Sequence, residues 1–278
     1  METIDLKENY PFLQGGKLVP FCVTEVNDGN PPWKRPAVIV VPGGGYGYTS
    51  NREAEPVAAR FLAHGFQTFI LRYVCARDGK EYRYPEQLHE IAAAVDYLKK
   101  HAADYHLEKD EIFAVGFSAG GHLIGDLSME AAKVSKEFGL DCTLKAIGLG
   151  YSVTDYFTGG ASLTWTNLFQ GYSDEEKRKL YEDLSLSKHV TKDNFPTYMF
   201  ITAKDHLVPP ETSLDYVRAL MRQGVPCEFH LYPFGLHGIS TGDLEVSGED
   251  YYHDPTGTAK DWIKECVAFF RCFSTIKY

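Results

Sequence analysis

A serine between two glycines is the first feature of this sequence that could do chemistry. Ser118 lies in the pentapeptide Gly-Phe-Ser-Ala-Gly (residues 116–120), directly after an apolar run and before a helix-like segment. Small residues on both sides allow a strand-to-helix turn tight enough to expose a serine oxygen. Such a pentapeptide also arises by chance, so its weight comes from the elements on either side of it. Those elements favour a nucleophilic serine.

A serine of this kind needs a base and an acid, and both have candidates later in the chain. A hydroxyl is a weak nucleophile until a base removes its proton, and the base needs a third group that fixes its tautomer. Asp205 directly follows a predicted strand, and His237 follows the next predicted strand, 32 residues further on. Because parallel strands end at one edge of a sheet, Ser118, Asp205 and His237 are predicted to converge there.

Several more histidines and aspartates could fill these roles. His122 lies four residues after Ser118 on the same predicted helix, where its ring cannot easily reach over the serine oxygen. His237 and Asp205 are favoured because each follows a predicted strand. The competing candidates are His122, His206 and His253 for the base, and Asp183, Asp193 and Asp215 for the acid.

Three glycines at residues 43–45 follow the β-branched run at 37–41. A dinucleotide-binding fingerprint fails because Tyr48 and Ser50 stand where its third glycine would be, and a phosphate loop fails because no Gly-Lys-Ser/Thr follows. Two interpretations stay open, a structural turn and an oxyanion hole whose backbone N–H groups bind the negative charge of a tetrahedral intermediate. In an oxyanion hole, the N–H of Ala119 would be the second donor.

The elements around these residues alternate between strand and helix. Strands are predicted at 37–41, 67–73, 111–116, 144–150, 196–202 and 227–232, after an N-terminal β region. Helices are predicted at 53–63, 85–101, from 118 onward, 209–223 and 258–273. Continuous β-branched runs alternating with amphipathic helices indicate an open parallel sheet covered by helices on both faces. We therefore predict a single α/β domain over residues 1–278.

Residues 152–195 interrupt this alternation with aromatic residues and a charged helical stretch at 174–183. An insertion of this length between core strands is typical of a cap over a site, and the alternative is an extra helix on the sheet edge. Aromatic faces suit sugar rings, and they suit a core equally well. The aromatic candidates for a substrate-binding wall are Tyr46, Tyr48, Trp165 and Phe169.

Composition and charge argue against several classes of function. The 278 residues carry a net charge of −10, which disfavours binding to nucleic-acid phosphates. No stretch approaches the roughly 20 apolar residues that cross a bilayer, and the first residues lack the apolar run of a secretory signal. The cysteines are scattered, and neither they nor the histidines have metal-binding spacing. We expect no metal, no cofactor and a cytoplasmic location, and the sequence does not exclude a homo-oligomer.

Four ordered motifs resemble the α/β-hydrolase superfamily. They are Pro-Gly-Gly-Gly-Tyr at 42–46, Gly-Phe-Ser-Ala-Gly-Gly-His-Leu at 116–123, Asp-His-Leu-Val-Pro at 205–209 and Leu-His-Gly at 236–238. The likeness runs from about residue 34 to 273. Within the superfamily, the chain is similar to the acetyl esterase and acetylxylan-esterase-like branch related to hormone-sensitive-lipase-type esterases. Pro42 stands where the hormone-sensitive-lipase relatives carry histidine, so the xylan-type branch matches better.

This resemblance implies an α/β-hydrolase fold and a serine ester hydrolase that needs no cofactor. Its implied substrate is a small acyl ester, such as an acetylated sugar. The implied roles are Ser118 as nucleophile, His237 as base, Asp205 as orienting acid, and Gly44, Gly45 and Ala119 as oxyanion donors. Two other functions stay open, an amide hydrolase of the arylformamidase type and a non-catalytic binding protein on the same fold.

Overall fold

The strands of the computed structural model form one eight-stranded sheet. The structure describes residues 2–28, 33–79, 81–156, 162–246, 254 and 256–276. The strands are β1 (Ile4–Asp5), β2 (Lys17–Phe21), β3 (Arg35–Val41), β4 (Gln67–Arg72), β5 (Leu107–Phe117), β6 (Ile147–Gly150), β7 (Thr197–Thr202) and β8 (Cys227–Tyr232). Their spatial order is β1-β2-β4-β3-β5-β6-β7-β8.

The six strands β3 to β8 pair in parallel, as the sequence predicts, whereas β1 and β2 add an antiparallel edge. The β-branched residues of β3 are fully buried, which is why that segment reads as a continuous apolar run. The chain passes from β3 outward to β4 and then returns to the other side of β3 as β5. The carboxyl ends of β3 and β5 therefore flank the point where the strand order reverses, which is where open α/β sheets bind ligands.

Helices cover the sheet in two groups. The helices are α1 (Leu6–Asn9), α2 (Glu55–Ala63), α3 (Glu86–Lys100), α4 (Ala119–Phe138), α5 (Ser162–Leu168), α6 (Asp174–Asp183), α7 (Leu186–His189), α8 (Pro210–Gln223) and α9 (Trp262–Phe273). α3 and α4 contact each other and β5, whereas α2 and α9 contact each other and other strands of the sheet. The five helices of the alternating pattern are present as α2, α3, α4, α8 and α9, and the charged stretch at 174–183 is α6, whereas the short helices α1, α5 and α7 are not predicted. The predicted starts at Glu53 and Thr258 are too early, because short 3-10 turns precede α2 at Glu55 and α9 at Trp262.

Two strand starts differ from the prediction by three residues or more. β5 begins at Leu107 rather than near 111, and β6 begins at Ile147 rather than 144. The first residues of β5 include exposed charged side chains, so they lack the apolar pattern that marks the rest of the strand. The six cysteines are free thiols, of which Cys75, Cys142 and Cys266 are buried. In the part of the chain that the structure describes, no helix has both the length and the apolar character needed to cross a membrane.

Candidate active site

Ser118 occupies the turn between β5 and α4. The strand ends at Phe117, the helix begins at Ala119, and Ser118 between them has φ +51° and ψ −117°. A non-glycine residue in this region is strained by roughly 1–3 kcal/mol, and such strain is characteristic of functional sites. The Ser118 N–H donates to the Gly150 carbonyl at 3.0 Å, and its carbonyl accepts from the Val153 N–H at 3.2 Å. The end of β6 therefore holds the turn in place.

The two glycines that flank Ser118 in the pentapeptide are required because backbone carbonyl oxygens lie very close to their Cα atoms. A Cβ on Gly120 would lie 2.2 Å from the carbonyl oxygen of Val41, and one on Gly116 would lie 2.6 Å from the carbonyl oxygen of Gly120. No real Cβ tolerates such contacts with backbone, so larger residues would force the turn to open. The Gly-x-Ser-x-Gly spacing thus has a direct packing explanation at the serine.

The structure brings Ser118, His237 and Asp205 together. The His237 Nε2 lies 3.0 Å from the Ser118 Oγ, and its Nδ1 lies 2.8 Å from the Asp205 Oδ2. The other carboxylate oxygen of Asp205 accepts the backbone N–H groups of Leu207 and Val208, at 2.9 and 2.8 Å. The Asp205 side chain is fully buried, and that of His237 is 11% exposed. A carboxylate on Nδ1 fixes the proton there, which leaves the Nε2 lone pair facing the serine.

The glycine turn lies beside the serine. A Cβ on Gly43 would be 2.9 Å from the Ser118 Cβ. Gly44 has φ +122°, where a Cβ would meet the Tyr48 carbonyl oxygen at 2.0 Å, so only glycine fits. Among the described residues, nothing accepts a hydrogen bond from the N–H groups of Gly44, Gly45 or Ala119. These three donors therefore remain available to a ligand near the Ser118 Oγ.

The glycine turn is anchored by a buried carboxylate, Glu53, which no sequence motif indicates. Glu53 is 5% exposed, and its Oε2 accepts the Gly43 N–H at 2.8 Å. Its Oε1 accepts the Tyr151 hydroxyl at 2.7 Å, and the Tyr151 oxygen in turn accepts the Ser240 N–H at 3.0 Å. Glu53 thereby links the glycine turn to the loop that carries His237. Its position beside a predicted helix start gave no signal of this role, because its partners are distant in sequence.

An open cavity of about 510 Å³ contains Ser118 and His237. Helix α5, within the insertion at 152–195, contributes Leu163, Thr164 and Asn167 to its wall. The Asn167 Nδ2 donates to the Gly45 carbonyl at 2.8 Å, so α5 is tied directly to the glycine turn.

Of the four aromatic candidates for the substrate wall, Tyr48 lines the cavity and is 47% exposed. The prediction is wrong for Tyr46, Trp165 and Phe169, which are buried and absent from the cavity wall. Trp165 and Phe169 pack on each other with ring centres 5.7 Å apart. Burial of their large apolar surface within the core outweighs any gain from facing a ligand.

His122 is held in the core as a neutral ring. Its Nε2 donates to the Leu184 carbonyl at 3.1 Å, so its Nδ1 accepts the Tyr46 hydroxyl, at 2.8 Å. Burial lowers the pKa of His122 to about 4. Both ring nitrogens are thus occupied away from Ser118, which removes His122 as a candidate base.

The remaining candidates for the base and the acid also lie apart from the serine. Asp215 pairs with Arg218 on the exposed face of α8, and Asp183 and Asp193 are exposed in the insertion. His206 is exposed and its Nδ1 lies 3.5 Å from the His237 backbone nitrogen. His253 lies outside the described residues. Within the described ranges, no group of three His, Cys, Asp or Glu side chains could hold a metal ion.

The sheet, the serine turn and its neighbours define an α/β-hydrolase fold. Residues 28–220 match the BD-FAE family, and the chain belongs to that family. Among solved structures, an acetyl ester-xyloside bifunctional hydrolase from Caldicellulosiruptor lactoaceticus superimposes with a TM-score of 0.81 at 26% identity, over 99% of this chain and 97% of that one.

Two curated relatives are longer proteins. Endo-1,4-beta-xylanase B of Butyrivibrio fibrisolvens is 29% identical over 82% of this chain and 36% of its own length. Acetylxylan esterase of Xylanibacter ruminicola is 26% identical over 74% of this chain and 41% of its own length. The chain therefore spans well under half of either relative. The proteins to which it is similar are named as esterases and xylan-acting hydrolases.

Proposed function

We propose that this protein is a serine carboxylic-ester hydrolase that removes acetyl or other small acyl groups from sugars. The observation that carries the proposal is the hydrogen-bonded chain from the Ser118 Oγ through His237 to Asp205, beside three backbone N–H groups that have no acceptor in the described part of the chain. Acyl transfer requires these parts: an activated hydroxyl, a base with a fixed tautomer and donors for a developing oxyanion.

The first half-reaction transfers the acyl group to the serine. The Ser118 Oγ attacks the ester carbonyl carbon while the His237 Nε2 takes the hydroxyl proton. The carbonyl oxygen becomes an oxyanion that accepts hydrogen bonds from the N–H of Ala119 and from the glycine turn. The tetrahedral intermediate then collapses, His237 returns the proton to the departing alcohol oxygen, and the C–O bond of the ester breaks. Asp205 stabilises the imidazolium through the Nδ1 proton without itself being protonated.

The second half-reaction returns the free enzyme. A water that enters the place of the alcohol gives one proton to the His237 Nε2, and its oxygen attacks the acyl carbon. Collapse of the second intermediate breaks the bond to the Ser118 Oγ, which recovers its proton from His237. The products are an alcohol and a carboxylic acid, and one water is consumed. No cofactor takes part in either half.

The proposal of acetylated sugars comes from the cavity wall together with the relatives. Thr164 and Asn167 bring a hydroxyl and an amide group to the wall, and these can bind sugar hydroxyls. A solved structure similar to this chain is named as an acetyl ester-xyloside hydrolase, and a curated relative is named as an acetylxylan esterase. We further propose that the insertion at 152–195 acts as a cap, because its helix α5 forms part of the cavity wall.

The decisive experiment compares Ser118→Ala with Ser50→Ala, a serine of the same cavity wall. Each variant is assayed on p-nitrophenyl acetate, on acetylated xylo-oligosaccharides and on N-formylkynurenine, and is exposed to a fluorophosphonate label. We expect the wild-type protein and Ser50→Ala to hydrolyse the acetates and to be labelled, and Ser118→Ala to do neither while unfolding at the wild-type temperature. Undiminished turnover by Ser118→Ala would refute the serine mechanism. A preference for N-formylkynurenine would instead assign an amide hydrolase.

A further inference from the structure

A cation at the rim of the cavity has no role in the acyl-transfer steps. Arg77 follows β4 and lines the same cavity as Ser118. Its guanidinium carbon lies 4.7 Å from the centre of the Tyr48 ring. A cation over an aromatic face is attracted to the ring, so Tyr48 fixes the orientation of the guanidinium. The edge of a guanidinium stacked in this way keeps N–H groups available for a ligand.

The backbone around Arg77 is tied to the glycine turn. The Ala76 N–H donates to the Tyr46 carbonyl at 2.8 Å, and the Arg77 N–H donates to the Gly47 carbonyl at 3.3 Å. The Asp78 Oδ2 accepts the Cys75 N–H at 2.8 Å, which closes the loop on itself. The cation is therefore held at a defined place relative to the proposed oxyanion donors. A ligand group bound there would orient an ester over the serine.

The charge of Arg77 is not neutralised within the described chain. Arg60, Arg72 and Arg218 each form an ion pair with a carboxylate, whereas no described carboxylate lies within 4.0 Å of the Arg77 guanidinium. A cation at the mouth of the cavity that no described carboxylate neutralises can bind an anionic group of a ligand.

The two other charged groups of the cavity wall, apart from His237, have structural tasks. The Arg52 guanidinium donates to the backbone carbonyls of Gly238 and Val246. The Glu53 carboxylate is buried and accepts from Gly43 and Tyr151. Arg77 is thus the wall residue whose exposed charge is best placed to meet an anion.

We propose that Arg77 binds a carboxylate carried by the substrate, so that the preferred ester is an acetylated saccharide that also bears a uronic acid. This inference rests on the proposed esterase function and specifies its substrate class. A planar guanidinium matches a carboxylate through paired N–H···O bonds. A phosphate monoester carries about −1.5 to −2 charge at pH 7, which is more than this single cation neutralises.

The test uses two acetylated xylo-oligosaccharides that differ only in one uronic acid substituent. Acetate release gives kcat/KM for both in the wild-type protein, in Arg77→Gln and in Arg83→Gln. Arg83 is a matched control because its guanidinium also lies over a tyrosine, Tyr172 at 4.3 Å, but in a separate cavity. We expect the wild-type protein to prefer the acidic substrate and Arg77→Gln to lower the acidic-to-neutral ratio about five- to tenfold. Arg83→Gln should keep the wild-type ratio.

Salt and binding measurements separate this inference from the proposed function. The preference for the acidic substrate should shrink as ionic strength rises from about 0.02 to about 0.5 M, because an exposed ion pair is screened. An unchanged ratio in Arg77→Gln, with acetate release intact, would overturn the role of Arg77 and leave the esterase function standing. If the wild-type protein released no acetate, calorimetric titration of Ser118→Ala with the deacetylated acidic oligosaccharide would still test the carboxylate site. Equal affinity for the acidic and neutral ligands there would refute it.

Discussion

Replacing Glu53 by glutamine tests whether a buried carboxylate holds the proposed oxyanion donors in place. Glu53 accepts two hydrogen bonds, from Gly43 at 2.8 Å and from Tyr151 at 2.7 Å. A hydrogen bond to a charged acceptor contributes about 1.5–3 kcal/mol, against about 0.5–1.5 kcal/mol for a neutral one. Glutamine has nearly the same shape, but one acceptor oxygen becomes a donor, so one bond is lost or reversed and the other is weakened. We expect transition-state stabilisation to fall by about 1–2 kcal/mol, which lowers kcat roughly 5- to 30-fold.

Truncation of Glu53 to alanine sets the upper limit for the loss of kcat. Glu53→Ala removes both acceptors, and loss of one oxyanion donor lowers kcat by about 10²–10³. In both variants KM for p-nitrophenyl acetate should change little, because the oxyanion forms only in the transition state. The inhibition constant of a boronic acid, whose adduct with the serine is tetrahedral, should rise in parallel with the loss of kcat.

A matched variant separates the effect of Glu53 on the glycine turn from its effect on the stability of the whole protein. Tyr151→Phe removes the hydroxyl shared by Glu53 and Ser240 and leaves the bond from Glu53 to Gly43 intact. It should lower the unfolding temperature with a smaller loss of kcat than Glu53→Gln. If Glu53→Gln kept the wild-type kcat and boronate affinity while its unfolding temperature fell, Glu53 would be only a structural residue and the reasoning would be refuted.

Two further predictions concern the glycine turn and the buried acid of α4. Gly44→Ala should lower kcat at least 100-fold, because its Cβ would meet the Tyr48 carbonyl oxygen at 2.0 Å. The control is Gly139→Ala, where φ is +68° and nothing lies within 4 Å of the added Cβ. This variant should keep full activity and unfold at a temperature about 2 °C lower. Burial, and then the nearby Glu130, raise the pKa of Asp126 to about 8. The folded protein therefore holds a proton on Asp126 that the unfolded chain loses near pH 4, so the contribution of this residue to stability falls by up to about 1.4 kcal/mol per pH unit as pH rises from about 4 to about 8. Asp126→Asn should flatten this fall when urea unfolding is measured between pH 5 and 8.

Each of these two predictions can be refuted by a specific result. Equal kcat values for Gly44→Ala and Gly139→Ala would show that the glycine turn takes no part in catalysis. An identical slope in the wild-type protein and in Asp126→Asn would show that Asp126 is ionised in the folded protein. The Asp126 measurement does not depend on enzymatic activity, so it tests the buried electrostatics of α4 independently of the proposed function.

Sequence patterns predict the elements of this protein that are determined by residues close together in the chain. The β-branched run that forms β3 has one stable outcome, a strand buried on both faces, and the Gly-x-Ser-x-Gly turn directly joins the end of β5 to the start of α4. By contrast, Tyr46 and Tyr48 are two residues apart with the same side chain, yet one is buried against His122 and the other lines the cavity. Which tyrosine faces inward depends on φ angles in the glycine turn, and those cannot be deduced from residue type. Glu53 was missed for a similar reason, since each of its partners arrives from another part of the chain.

The order of the strands explains why residues so far apart in sequence can form one site. Successive neighbours in the sheet each add one group at their carboxyl ends: the glycine turn after β3, Ser118 after β5, Tyr151 after β6, Asp205 after β7 and His237 after β8. Tyr151 fills the position between the serine and the acid, and its ring centre lies 5.0 Å from that of His237. The same tyrosine donates to Glu53, which holds the first group of the series. Glu53 and Tyr151 thus connect the oxyanion donors to the loop that carries the base. A displacement of one strand end would therefore disturb both the oxyanion donors and the base.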